Sequence, residues 1–173
     1  MEHFTIRQAE ARDATLLPAV ERSAAEAFLQ LPNLAWIATG ATQSVEQHLE
    51  TIKSGLEWVA VDAEDSPIGF LNANLADRNL HILEVSVASS YQGKGVGRRL
   101  METVRRWAVT SGCSSITLIT FRNVPWNEGF YRSLGFRILE PSELTPSLDI
   151  LMKDEVDAGF LVEERCAMSL RLE

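Results

Sequence analysis

The chain has 173 residues, 46% hydrophobic and 23% charged, which is ordinary for a soluble globular protein of one domain. A formal net charge of −8 argues against nucleic-acid binding, and it either favours a cationic small partner or simply keeps the protein soluble. No apolar run approaches a membrane span, and the N-terminus lacks the apolar core of a secretory signal. Cys113 and Cys166 are too few for a disulfide framework or a metal cluster. We therefore expect a single cytoplasmic domain over residues 1–173, without a metal.

The first part of the chain predicts one strand and two helices. Residues 3–8 alternate polar and apolar side chains, as a half-buried strand does. Asp13 is expected to cap a helix whose apolar positions reach Phe28, and Ser44 a second helix that runs to Lys53. The inward face of the second helix is predicted to carry Val45, Leu49 and Ile52.

Strands then dominate the middle of the chain. They are predicted at Leu56–Asp62, Ile68–Ala76 and Leu80–Ala88, with the first two joined by a hairpin turn rich in Asp, Ser and Pro. An amphipathic helix begins at Gly97, with its apolar residues on one face and four arginines on the other. The next segment, Ser115–Phe121, is mostly apolar and β-branched, which is typical of a buried strand.

The last part of the chain alternates helices and strands. Pro125 suits the first turn of a helix that ends near Leu134, and Phe136–Leu139 predicts a short strand. A helix over Ser147–Val156 precedes a half-buried strand that alternates from Val162 to Leu172. This order of elements predicts a single mixed α/β sheet with helices on both faces.

Three glycines separate the third of the middle strands from the helix that follows it, in Gln92-Gly93-Lys94-Gly95-Val96-Gly97. Glycines let backbone N–H groups approach a bound group closely, and the helix N-terminus directs its unpaired N–H groups to the same place. The stretch therefore predicts a site for an anion, most naturally a phosphate. Neither the G-x-G-x-x-G dinucleotide fingerprint nor the G-x-x-x-x-G-K-[ST] loop of nucleotide triphosphatases fits the spacing.

The loop resembles the central motif of the GNAT superfamily of N-acetyltransferases, Gln/Arg-x-x-Gly-x-Gly/Ala. A second element downstream, Phe130-Tyr131-Arg132-Ser133-Leu134-Gly135-Phe136, resembles the family's Φ-Tyr-x-x-x-Gly-Phe at the distance that the family shows. The resemblance is direct over the segment from Leu80 to Leu139. It implies a single mixed, mostly antiparallel central sheet with a splayed parallel strand pair and helices on both faces.

The resemblance also implies acetyl-CoA as co-substrate. The backbone of Val85-Ser86-Val87 is then expected to hydrogen-bond the pantetheine arm, and the loop from Gln92 to Gly97 to hold the pyrophosphate. Lys94 and Arg98 would add positive charge beside it.

At one position of the family's cofactor site, this chain has a different residue. Many members place an Asn seven residues before the Tyr, and here that position is Val124. Asn123 and Asn127 flank it, so either of them, or neither, takes over the contact.

Acetyl transfer to an amine requires that the amine lose a proton, that the carbonyl oxygen be stabilised and that the thiolate be protonated. By resemblance, Tyr131 is the candidate acid, and a backbone N–H within 85–87 is the oxyanion donor. The general base could be Glu84, His81 or a water relay. Residues 81 and 84 point to opposite faces of a regular strand, so at most one of them faces a given cleft. We favour Glu84, a carboxylate in an otherwise apolar run.

We thus expect an acyltransferase that moves an acetyl group to a primary amine of a small molecule or peptide by direct attack in a ternary complex. The alternative is a non-catalytic sensor that binds acyl-CoA. Acceptor specificity is expected from residues 31–42 and 140–147, with Trp36 and Trp126 as candidate lining residues. A homodimer is plausible from the last strand or an apolar helix face.

Overall fold

The computed structural model describes residues 3–173. Its strands are β1 (Thr5–Gln8), β2 (Glu57–Val61), β3 (Pro67–Ala76), β4 (Asn79–Val87), β5 (Ser115–Phe121), β6 (Arg137–Ile138) and β7 (Arg165–Arg171). Its α-helices are α1 (Leu17–Ala25), α2 (Val45–Lys53), α3 (Val96–Thr110), α4 (Glu128–Ser133) and α5 (Pro146–Asp157).

The strands form one sheet in the order β1-β2-β3-β4-β5-β7-β6. The β4–β5 pair is parallel, with His81 opposite Thr117, whereas β1–β2, β2–β3, β5–β7 and β6–β7 are antiparallel. The predicted mixed, mostly antiparallel sheet is therefore confirmed. Across residues 3–173, no helix combines the length and apolar character needed to cross a membrane.

The chain divides into two compact units, and each is described by itself. The first unit extends as far as Asn74 and resumes over Leu83–Trp107, so it contains the glycine loop. The second unit comprises Leu75–Ile82 and Ala108–Glu173 and contains the Tyr131 element.

The core of the first unit forms where α1 packs on β2 and β3. Leu17 and Val20 of α1 are buried against Val59, Val61 and Phe70. Burying each such side chain contributes about 1.5–3 kcal/mol, before the entropy cost of ordering it is subtracted. Leu17 and Val20 lie three residues apart, on one face of the helix.

The start of α1 differs from the prediction. Asp13 lies in a 3-10 turn, Ala11–Asp13, and α1 begins four residues later. The Asp13 carboxylate accepts hydrogen bonds from Glu10 N (2.7 Å) and from both terminal nitrogens of Arg7 (2.8 and 3.0 Å). Since those donors occupy the carboxylate, Asp13 closes the turn and ties it to β1 instead of capping α1.

Helix α2 is capped as predicted but buries a different residue. Ser44 Oγ accepts a hydrogen bond from Gln47 N, and Ser44 N donates one to Gln47 Oε1. Leu49, expected inside, is 40% exposed, whereas His48 is fully buried. His48 Nδ1 lies 2.6 Å from Glu57 Oε1 of β2, and Thr51 donates a hydrogen bond to the other Glu57 oxygen. These two contacts satisfy the buried carboxylate, so His48 and not Leu49 lies on the inward face of α2.

Helix α3 has the amphipathic face that the sequence predicts. The buried residues of its apolar face are Val96, Leu100, Met101, Val104 and Ala108. Trp107 is partly buried, and its ring meets that of Trp58 edge-on at 5.4 Å. The four arginines of the helix are exposed on the opposite face.

The second unit is built on the β5–β7 ladder. It runs from Ser115 opposite Arg171 to Phe121 opposite Arg165, and β6 pairs with the other edge of β7. The Arg165 guanidinium lies 4.1 Å from the Phe121 ring centroid and bonds both carboxylate oxygens of Glu155. The cation–π contact thus joins β7 to β5, and the ion pair joins β7 to α5.

Two boundaries in this unit differ from the sequence prediction. Helix α4 begins at Glu128, and the residues from Pro125 to Asn127 form a turn closed by Asn127 N donating to Val124 O. Val162, predicted in the last strand, lies in a 3-10 turn and is 57% exposed.

Candidate active site

The glycine loop of the first unit has the backbone conformation that only glycine adopts easily. Gly93 and Gly95 have φ values of +73° and +84°. A Cβ added at either would meet no atom of residues 3–173 within 4 Å, so the space beside the loop is open. A side chain at either position would fill that space. With glycine there, a ligand can approach the backbone.

The start of α3 lies directly after these glycines. Arg99 N donates to Gly95 O at 3.1 Å at the start of α3. The first N–H groups of any helix point out of its N-terminus. The first turn contains no acidic residue, so nothing within it neutralises the positive end of the helix dipole. Lys94 Nζ lies 5.3 Å from the centroid of the Tyr91 ring. The loop and helix start together can hold an anion.

Gln92 fixes the loop to its surroundings through main-chain carbonyls. Its amide nitrogen donates to Val87 O at 2.9 Å, at the end of β4, and to Ala24 O of α1 at 3.3 Å. Nearby, Ser89 N donates to Ser23 Oγ at 2.9 Å. Gln92 therefore holds the turn between β4 and α3 in place.

Gly69 of β3 is a supporting residue that the sequence reading passed over. A Cβ there would come within 3.0 Å of Ser86 O and 3.3 Å of the Val96 side chain. The absence of a side chain lets the first turn of α3 pack closely on the sheet. An isolated glycine within a strand pattern was the available signal, since it often marks such an approach.

The end of β4 places one candidate base beside a buried hydroxyl. Ser86 is buried, and its Oγ donates to Glu84 Oε1 at 2.9 Å. Val85 and Val87 are half-buried on either side of Ser86. Glu84, the three residues expected to carry the pantetheine arm and the whole loop from Gln92 to Arg98 thus lie in the first unit.

In the second unit, Tyr131 lies on α4 with its ring packed among aromatic side chains. Tyr131 is 9% exposed, and its ring meets those of Phe130 at 5.1 Å and Phe136 at 5.9 Å, both near-perpendicular. This edge-to-face packing fixes the direction of the phenol. The Phe-Tyr-x-x-x-Gly-Phe spacing brings these rings together because Gly135 (φ +95°) reverses the chain after α4.

The two candidate asparagines before Tyr131 lie in different surroundings. Asn127 Oδ1 accepts a hydrogen bond from Thr120 Oγ1 of β5 at 2.9 Å, and its Nδ2 is buried with no partner among residues 3–173. Asn123 is exposed with φ +58°. Val124, at the family's Asn position, is buried. The free donor on Asn127 makes it the better candidate for a contact with a ligand oxygen.

His81, the other candidate base, is half-buried in the second unit. Its Nδ1 lies 2.9 Å from Thr117 Oγ1 of β5. Burial lowers the pKa of His81, and the carboxylate of Glu155 opposes that shift. His81 is therefore neutral at neutral pH.

Neither cysteine has the environment of a nucleophile. Cys113 and Cys166 are both buried and unpaired with each other. Burial raises the pKa of each thiol, which disfavours the reactive thiolate. Within the part of the chain that the structure describes, no three His, Cys, Asp or Glu side chains come together as metal ligands would.

Comparison with known proteins identifies the family. The acetyltransferase (GNAT) family model matches residues 25–136, which is more than half of the chain, so the chain belongs to this family. The N-acetyltransferase 8B of Homo sapiens is 27% identical over 129 residues, which are 71% of this chain and 56% of that protein. The chain spans about half the length of the curated relatives that it matches.

Solved structures agree on the fold. The PaiA N-acetyltransferase of Thermoplasma acidophilum, in complex with coenzyme A, has a TM-score of 0.74 at 18% identity and covers 98% of this chain and 99% of its own. An acetyltransferase of the GNAT family from Staphylococcus aureus Mu50 has a TM-score of 0.72 at 16% identity, with 99% and 100% covered. At these identities the likeness is one of fold.

Proposed function

We propose that the protein is an acetyl-CoA-dependent N-acetyltransferase that acts on a primary amine of a small molecule or peptide. The observation that carries this proposal is the glycine loop. Two glycines with positive φ and open space beside them lead into a helix N-terminus, where backbone N–H groups can bind an anion. The family match and the coenzyme A bound to the PaiA neighbour make the pyrophosphate of acetyl-CoA the natural anion.

The reaction that we propose is direct attack. The amine nitrogen bonds to the thioester carbonyl carbon, the C–S bond breaks, and coenzyme A leaves as a thiolate. Glu84 takes the proton of the amine, and Tyr131 gives a proton to the thiolate. Both cysteines are buried with raised thiol pKa values, which supports a route without an acetyl-cysteine intermediate.

The cofactor contacts of the proposal divide between main chain and side chains. The amides of the loop would hold the pyrophosphate, with Lys94 and Arg98 adding positive charge, and the backbone of residues 85–87 would hold the pantetheine arm. Gln92 would act by keeping the loop in shape, since its amide nitrogen already bonds two carbonyls. Asn127 would supply its unpartnered Nδ2 to a cofactor oxygen.

Free-thiol release from acetyl-CoA across a panel of primary amines and N-terminal peptides tests the function. We expect turnover with at least one amine, together with acetyl-CoA binding measured by calorimetry. Acetyl-CoA binding without turnover on any amine would instead support a non-catalytic sensor of acyl-CoA. Absence of binding to acetyl-CoA and to coenzyme A would overturn both readings.

Glu84→Gln tests the base separately. We expect the acidic limb of the pH–rate profile to disappear in this variant, because the carboxylate that must be ionised is gone. A limb that persists at the same pH would exclude Glu84 as the base.

A further inference from the structure

A chain of hydrogen bonds leads across the parallel strand pair to His81. Ser115 Oγ donates to Asn79 Oδ1 at 2.8 Å, and Asn79 Nδ2 donates to Thr117 Oγ1 at 2.9 Å. Thr117 Oγ1 in turn lies 2.9 Å from His81 Nδ1. The strand register holds all four residues in place, since Asn79 is opposite Ser115 and His81 is opposite Thr117.

The direction of this chain assigns the proton on the imidazole. Asn79 uses its oxygen for Ser115, so it presents its N–H₂ group to Thr117, whose oxygen acts as the acceptor. Within residues 3–173, the hydroxyl of Thr117 bonds to Asn79 and His81. If His81 Nδ1 also donated to Thr117, the proton of this buried hydroxyl would have no acceptor among residues 3–173. The arrangement that leaves no donor unsatisfied has Thr117 donating to His81 Nδ1, and a neutral imidazole whose Nδ1 accepts carries its proton on Nε2.

We propose that the Ser115–Asn79–Thr117 chain holds neutral His81 in the Nε2–H tautomer, so that His81 acts as a hydrogen-bond donor and is not the general base. Thr117 and Asn79 are then positioning residues, which act through His81. The catalytic half of this inference rests on the proposed function; the tautomer does not. A donor at Nε2 would suit an oxygen of the substrate, such as a carbonyl or carboxylate.

The electrostatic surroundings of His81 agree with this assignment. A base at Nδ1 would need that nitrogen free for the incoming proton, but the Thr117 hydroxyl already donates to it. Burial further disfavours the imidazolium. The group that opposes the effect of burial on the His81 pKa is Glu155 of α5. Its carboxylate is bound through both oxygens to Arg165.

The tautomer is measured directly by long-range ¹H–¹⁵N correlation spectra of the uniformly ¹⁵N-labelled full chain. The protein has three histidines, so the signals that disappear in His81→Gln are assigned to His81. We expect the pattern of an Nε2–H tautomer in the natural protein at neutral pH. The Nδ1–H pattern in the natural protein would overturn the proposal outright.

Three variants test the chain of hydrogen bonds from Ser115 to His81. Thr117→Ser keeps the hydroxyl and is expected to keep the tautomer. Thr117→Val keeps the shape without the hydroxyl, so we expect a mixture of tautomers. Asn79→Asp removes the N–H₂ donor and must accept the Thr117 proton, which should reverse the chain, move the imidazole proton to Nδ1 and raise the His81 pKa. An unchanged tautomer in Asn79→Asp would contradict the proposed chain.

Kinetics separate this inference from the proposed function. If the protein transfers acetyl groups, the acidic limb of the pH–rate profile should persist in His81→Gln. Loss of that limb would make His81 the base and overturn the catalytic half of the inference. If no acetyl transfer is found with any amine, the proposed function fails, while the spectra still decide the tautomer.

Discussion

The glycine loop of the first unit and the α4 segment of the second, residues 120–136, are held in place by different parts of the polypeptide. In the loop, Gly93 and Gly95 set the backbone, and the amide nitrogen of Gln92 donates to two main-chain carbonyls. In the α4 segment, side chains do the positioning: Thr120 holds Asn127, and Phe130 and Phe136 pack on Tyr131. Substitutions in the loop should therefore act through conformation, whereas those in the α4 segment should act by removing a functional atom.

The sharpest test of this difference is Tyr131→Phe, which removes one oxygen and leaves the aromatic packing. If the hydroxyl protonates the leaving thiolate, kcat should fall by about 10²-fold or more while the Kd for acetyl-CoA changes little. Tyr91→Phe is the matched control, because Tyr91 is the other tyrosine of the chain. Equal kcat values for natural protein and Tyr131→Phe at saturating substrate would remove Tyr131 from the mechanism.

The corresponding change in the loop is Gly95→Ala. An alanine at φ +84° costs about 1–2 kcal/mol, which penalises the conformation that offers the N–H groups. The Kd for acetyl-CoA should rise by about 5- to 30-fold, measured by calorimetry. Because a Cβ there would meet no described atom within 4 Å, a steric clash inside the protein would not explain the loss. A Kd within twofold of the natural value would show that the loop does not hold the cofactor.

Substitutions of Asn127 and Asn123 test whether side chains of the α4 segment contact the cofactor. Asn127→Ala leaves the buried Thr120 hydroxyl without its acceptor, which should cost about 1–3 kcal/mol of stability. It should also weaken acetyl-CoA binding several-fold if Nδ2 contacts the cofactor. Asn123→Gly, which removes a side chain without straining the left-handed φ of that residue, is the control. A larger loss of binding in Asn123→Gly than in Asn127→Ala would transfer the contact to Asn123.

The same contrast explains which features could be predicted from the sequence. The positions of the strands along the chain, the buried face of α3 and the turn between β4 and α3 depend on local periodicity and on glycine, so the sequence predicts them well. Helix α4 begins only after the turn that Asn127 N closes on Val124 O, whereas Pro125 alone suggested an earlier start. In α2, hydrophobic periodicity favoured Leu49 as the inward residue, but a buried carboxylate, Glu57 of the following strand β2, pairs with His48 and brings it inside. The Thr117–His81 bond likewise has no local signal, because it depends on the register of two strands.

The smallest expected effect comes from the glycine within α4 itself. Gly129 lies within α4, and an added Cβ would meet no atom of residues 3–173 within 4 Å. Gly129→Ala should therefore stabilise the protein by about 0.5–1 kcal/mol through helix propensity, visible as a Tm rise of a few degrees in calorimetry. It should leave the Kd for acetyl-CoA unchanged, unlike Gly95→Ala. If Gly129→Ala instead weakened acetyl-CoA binding while raising Tm, the ligand would have to approach the α4 backbone closely, and the α4 segment would then bind through its main chain as the loop does.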